Sequence, residues 1–256
     1  MDRATNRCRY RREYFDYELG NSRIYECPRQ AVTERGFCEF HDPDYWREHE
    51  EEVRSKFEEM VKRAQEKPEK LLCLGFNLPS VMVRGEFEKP VYFSDAKFHQ
   101  IACFYSAEFH QKAYFRGTKF HHRADFSFAS FHKLADFSDA EFNGRTVFIG
   151  TRLIFRIDDY IEDKGIYDSL GYISFMGARF SKPSEVFFDH VYLGRVSFIN
   201  CNIERVNFRN VIWKEERPRN LEEIIATLSP FEKAILWAIG TGNYHASDIY
   251  EVANKN

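Results

Sequence analysis

Four residues near the start of the chain have the types and spacing of a metal site. Cys8, Cys27, Cys38 and His41 run C-x18-C-x10-C-x2-H, and the last pair is the knuckle Gly36-Phe37-Cys38-Glu39-Phe40-His41. Three thiolates and one imidazole suit tetrahedral zinc, and a closed four-ligand set is structural rather than catalytic. Residues 1–45 are too few and too polar to fold on a core of their own, so metal could supply the missing stability. The spacing is looser than a C-x2-C pair, and the opposing reading is three unrelated thiols in a polar leader. His49 is a reserve ligand. Tyr10, Tyr14, Tyr17 and Tyr25 are expected to pack around the site. Arg7, Arg9, Arg11 and Arg12 leave open a second reading of those tyrosines, as a nucleic-acid platform.

Two further sets could carry chemistry. His99, His110, His121 and His132 recur at a fixed spacing of 11. If that spacing is half a structural repeat, His99 and His121 stack on one side and His110 and His132 on the opposite side. Stacked imidazoles would resist joint protonation and could hold a divalent metal weakly; the bland reading is a surface residue copied with the repeat. The stretch 154–171 is acidic, and Asp158, Asp159, Tyr160, Glu162 and Asp163 make it a candidate interaction loop. It shows no metal-loop spacing. The chain has no nucleophile elbow, no phosphate-cradling glycine loop and no paired carboxylates at a defensible separation, which argues against an enzyme.

The elements that would hold these residues are written in the phenylalanines. Phe is used 26 times. Phe93, Phe98, Phe104, Phe109, Phe115, Phe120, Phe126, Phe131, Phe137, Phe142 and Phe148 are spaced alternately by five and six. Two residues before each stands a small or β-branched residue, from Val91 and Ala96 to Ala140 and Thr146. The beat extends back to Phe87, Met82 and Phe76, with Gly85, Ser80 and Leu74 before them. It extends forward to Leu153, resumes at Phe175 and Phe180, and ends in steps of five through Phe188, Leu193, Phe198, Ile203, Phe208 and Trp213. Neither a helix nor a plain strand gives a five-residue period. A short period repeated this often is one side of a solenoid per unit, with one large and one small residue inward. Two 11-residue units would make a four-sided coil of about 22, with coils a strand spacing of roughly 4.8 Å apart.

Units such as Ala135-Asp136-Phe137-Ser138-Asp139-Ala140-Glu141-Phe142 resemble the pentapeptide-repeat family in its Phe-rich form. The resemblance implies an all-β solenoid, a right-handed quadrilateral parallel β-helix, that is non-enzymatic. Some members of that family mimic DNA and bind topoisomerase through an acidic rod. Here, residues 91–148 carry seven bases against six acids, so the strongly negative face a duplex mimic needs is missing.

The remaining segments read as ends. Asp42-Pro43-Asp44 opens a helix whose stripe of Trp46, Val53, Phe57, Met60, Val61 and Ala64 needs a surface, and an open solenoid end is the nearest. The expected organisation is a Cys3His zinc-binding segment at 1–45 and a capping helix at 46–67. A β-helix at 74–213, interrupted by 154–171, and a helical segment at 214–256 follow. Within that last segment, Pro230 to Ile239 followed by Ala246 to Tyr250 is similar to the first two helices of a winged helix, without its recognition helix and wing. It can cap the last coil or pair two copies of the chain as a homodimer. A net charge of -3 gives no global pull toward nucleic acid or membrane. The absence of an apolar leader or spanning segment leads us to expect a cytoplasmic protein with free or metal-bound thiols. The function these features predict is a protein-interaction scaffold with a structural zinc and an unidentified protein partner. The alternative is a nucleic-acid-associated regulator acting through the N-terminal arginines or the partial winged helix.

Overall fold

The computed structural model describes residues 6–16, 19–153, 173–194 and 196–213. The predicted homodimer helices in 214–256 and the acidic stretch 154–171 lie outside these residues.

The core is a four-sided parallel β-helix. Its four sheets hold six, five, six and four strands. Sheet I begins with Leu71–Leu72, sheet II with Asn77–Leu78, sheet III with Val81–Met82 and sheet IV with Gly85–Phe87. Each strand pairs in parallel with its counterpart one coil away, as Val91, Ala113 and Ala135 do in sheet I at a repeat of 22 residues. Within each unit the small residue and the phenylalanine two positions later point inward, and the residue between them points out.

The phenylalanines form columns of stacked rings. Phe93, Phe115, Phe137, Phe175 and Phe198 stack in sheet I at centroid separations of 5.3, 4.7, 5.0 and 5.3 Å. Phe104, Phe126 and Phe148 do the same in sheet III at 4.8 and 5.0 Å. Neighbouring columns meet edge to face, as Phe104 meets Phe115 at 88°. Both arrangements are favoured by the ring quadrupole, and each buried ring contributes on the order of 1.5–3 kcal/mol. The Phe137–Phe175 stack spans the interrupted stretch, so the column runs on through it.

The five-six alternation has a backbone cause. The residue two positions after each sheet I or sheet III phenylalanine has positive φ: Asp95 (55°), Ser106 (55°), Gly117 (66°), Phe128 (57°) and Asp139 (59°) among them. A left-handed residue turns the chain sharply, and these corners close in five residues. No residue between Phe98 and Phe104, or between Phe109 and Phe115, has positive φ, and those corners take six.

The first coil departs from the expected ladder. Leu71 pairs with Val91 and Asn77 with Lys97, a repeat of 20 residues rather than 22. Inward positions therefore fall on Leu71 and Cys73, Phe76 and Leu78, Val81 and Val83, and Gly85 and Phe87. The array begins at Leu71 rather than 74. Met82, expected inside, is 47% exposed, while Val83 is fully buried. Phe76 occupies a small-residue position because nothing of the ladder lies beneath it. Instead Phe40 stacks on it at 4.5 Å and 2°.

A β-hairpin of β1 (Arg11–Asp16) and β2 (Asn21–Glu26) precedes the helices. It docks on sheet I through an ion pair of Arg12 with Asp95 and an edge contact of Tyr14 with Tyr92. The expected single capping helix is two: α1 (Tyr45–Glu48) and α2 (Glu50–Glu66), broken at His49. Asp42 starts α1 by accepting the Asp44 and Tyr45 N–H groups at 3.0 and 3.2 Å. α2 buries Val53, Phe57, Val61 and Ala64 against the first strands of sheets I, III and IV. Phe57 reaches to within 6.3 Å of Phe93, where Cys73 leaves the column short of a ring. Among the described residues no helix is long and apolar enough to cross a membrane.

Candidate metal centre

Three chain segments bring Cys8, Cys27, Cys38 and His41 together. Cys8 and Cys27 flank the hairpin, whose ends are tied by Cys27 N–H to Tyr10 O (3.1 Å) and Cys8 N–H to Arg29 O (2.9 Å). Cys38 and His41 sit on one tight turn, closed by His41 N–H to Cys38 O at 3.1 Å. Gly36 is required behind that turn. Its φ is +78°, and a Cβ there would stand 2.6 Å from Arg9 Nε. The knuckle is braced to α2 through Glu39, a buried carboxylate paired with Arg29 (2.8 Å) and Lys56 (3.4 Å).

All four candidate ligands are buried, and their ligand atoms lie within 4.8 Å of one another. Cys27 Sγ is 3.8 Å from Cys38 Sγ, and His41 Nδ1 is 3.5 Å from Cys8 Sγ and 3.2 Å from Cys38 Sγ. Zinc bonds of about 2.3 Å to sulfur and about 2.05 Å to nitrogen give tetrahedral edges of roughly 3.8 Å for S···S and roughly 3.6 Å for S···N. The donor set fits a tetrahedral ion. His41 Nε2 donates to Leu74 O at 3.0 Å, which fixes the ring and leaves Nδ1 facing the sulfurs, as ligating histidines require. The ring is clamped from its other face by Tyr10, stacked at 3.8 Å and 8°. Through the Leu74 carbonyl, the cluster is fastened to the first coil of the β-helix.

The protonation of the three thiols points the same way. Cys27 is pulled down to about 4, first by the hydrogen bond from the Cys38 thiol and then, against burial, by His41. Cys38, donating that bond, is pushed up; Cys8 is pushed up by burial. Without metal the pocket thus favours one thiolate, and a bound dication would displace the other two protons.

The other expected residues are placed as follows. His49 stacks on Tyr45 at 4.1 Å at the junction of α1 and α2 and is not in the cluster. Tyr25 lies 6.4 Å from His41; Tyr14 packs on Tyr92; Tyr17 lies outside the described residues. Arg11 and Arg12, half of the basic set, are paired with Glu26 and Asp95. His99 and His121 stack at 5.2 Å on sheet II, and Trp46 of α1 covers His99 at 4.5 Å. His99 is lowered to about 4, mainly by burial and next by His121. His99 Nε2 donates to Asn77 Oδ1 at 3.1 Å. His110 and His132 meet at 4.3 Å on sheet IV, the opposite side. Three glutamates that the histidine spacing does not mark, Glu86, Glu88 and Glu108, close around them. Asp158, Asp159, Tyr160, Glu162 and Asp163 lie outside the described residues. What sequence reading missed at the cysteine cluster is the Leu74 carbonyl, a backbone group that carries no residue-type signal.

Residues 86–130 match the family model described as pentapeptide repeats (9 copies). No curated protein and no solved structure gives a match.

Proposed function

We propose, from the match of residues 86–130 to pentapeptide repeats and the four-sided β-helix around them, that the protein is a non-enzymatic scaffold for protein–protein interaction whose N-terminal cap is locked by a structural zinc ion. The observation that carries the reading is the Cys3His cluster itself: four buried donors within 4.8 Å of one another, three of their separations between 3.2 and 3.8 Å, tied by His41 to the first coil. A closed set leaves no open coordination position for substrate. The inside of the β-helix supports the non-enzymatic part, because its inward positions are filled by packed rings and small side chains. Recognition then falls to outward residues and to the segments that interrupt or flank the array.

Zinc measured by elemental analysis in the wild type beside Cys38→Ala and His41→Ala tests the site. About one equivalent in the wild type and a loss in both variants is expected; equal zinc in all three rejects the knuckle. For the scaffold reading, partners are captured with 154–171 intact or deleted. Identical capture by the two forms removes that stretch as the recognition element.

A further inference from the structure

Sheet IV carries a second cluster of residue types that can ligate metals, with no cysteine among them. Three successive coils align Glu86, Glu108 and Ser130 before the inward rings of Phe87, Phe109 and Phe131. The residues after those rings are Glu88, His110 and His132. All of these flanking positions face outward, so a rung spacing brings two imidazoles and three carboxylates into one patch.

The distances within it are not those of a satisfied hydrogen-bond network. His132 Nε2 is 2.7 Å from Glu108 Oε1, a normal charge-assisted bond. His110 Nε2, by contrast, has no solvent contact and no hydrogen-bond partner. It faces Glu88 Oε1 at 3.6 Å, Glu108 Oε1 at 3.7 Å and Glu86 Oε2 at 3.8 Å. Each is beyond hydrogen-bond reach. A buried nitrogen without a partner costs about 1–3 kcal/mol. Ligand atoms about 2.1 Å from a shared ion stand roughly 3.0–3.5 Å apart, close to the separations seen around His110. The side chains are also held: His132 is 8% and His110 23% exposed.

We propose that Glu108, His110 and His132, completed by Glu88 or Glu86, bind a divalent first-row transition cation on the outer face of sheet IV. Two imidazoles select against magnesium and calcium, which take oxygen ligands. Two imidazoles with one carboxylate, and positions left open, suit Mn2+, Fe2+, Co2+ or Zn2+. The partly exposed glutamates would leave such an ion reachable by water or by an oxygen ligand, unlike the closed cysteine cluster.

The test is a Co2+ titration of the full chain after one equivalent of zinc has been supplied. The expected result is one further equivalent with the weak visible bands of nitrogen and oxygen ligands and no thiolate charge-transfer band. Glu108→Gln and His132→Ala should each weaken binding by roughly ten-fold or more, since even indirect changes around metal sites cost that much. His99→Ala, on the opposite sheet, should leave it unchanged. Paramagnetic shifts should appear on the His110 and His132 rings. Because His132 is buried, Glu108→Gln and Glu88→Gln serve as variants that preserve shape. The proposal is overturned by absent cobalt binding, by binding indifferent to Glu108→Gln and Glu88→Gln, or by cobalt that shows only thiolate bands. The last outcome would place the metal in the cysteine cluster and leave that site's own zinc test standing.

Discussion

Truncating Phe115 to alanine should be among the most damaging changes available to the β-helix. Its side chain is fully buried. One face stacks on Phe93 at 5.3 Å and the other on Phe137 at 4.7 Å, while its edge meets Phe104 at 5.2 Å and Phe126 at 5.6 Å. Coils above and below are pinned by the sheet ladders and cannot collapse into the gap. The expected loss is about 3–5 kcal/mol, the transfer of a ring plus an unrelaxed cavity. Phe208 is the control. It is half-buried and stacks on a single phenylalanine of its column, Phe188 at 5.4 Å, so Phe208→Ala should cost no more than about 1–2 kcal/mol. Urea unfolding followed by circular dichroism, with the slope checked for constancy between variants, gives both numbers. Equal losses at Phe115 and Phe208 would refute the argument that stability resides in two-sided stacking.

Other expectations follow from the cap and the outer faces. Acidification should release zinc as the sulfurs take up protons, and the thermal midpoint should fall together with zinc content. His99 should be neutral at pH 7 in an NMR titration. Its folded value, about 4, lies below the unfolded value of about 6.5. The unfolded chain therefore takes up that proton first, so this contribution to stability is complete above about pH 6.5 and declines as pH falls toward 4. His99→Gln should flatten that part of the stability profile. Gly36→Ala should destabilise the knuckle by about 1 kcal/mol or more through its positive φ and the approach of Arg9. Reduced zinc retention on dialysis against a chelator would report it, and unchanged retention would contradict it.

The parts of this architecture legible in sequence are those where identical surroundings recur. From Phe87 to Phe148 each inward residue meets the same neighbours one coil away, so the same side chain is selected again and the period is visible. The first coil has different neighbours, Phe40 and α2 in place of another coil. Its repeat shortens to 20, which is why a fixed beat assigned Met82 to the core and missed Leu71 and Cys73. The cysteines and histidine of the candidate metal centre were legible by type, since few other uses bring these residues together. The glutamates around His110 were not. Two precede their inward phenylalanines and one follows, and only the stacking of coils makes them neighbours. The break at His49 was hidden because the apolar stripe of the helix keeps its phase across it.

The two kinds of corner have a consequence for how this chain can change length. Corners with a left-handed residue follow sheets I and III, and from Phe93 to Phe98 through Phe208 to Trp213 they keep five residues. The remaining corners do not. They hold six residues between Phe98 and Phe104, five between Leu193 and Phe198, and eight between Phe180 and Phe188, where a 3-10 turn is inserted. From Phe93 onward, length differences between coils thus fall along two opposite edges of the rod and not along the other two. A tag or binding peptide grafted at an edge of the first kind would force a left-handed turn to open. Grafted at the second kind, it would join a series of length changes across which the Phe137–Phe175 stack already holds its spacing.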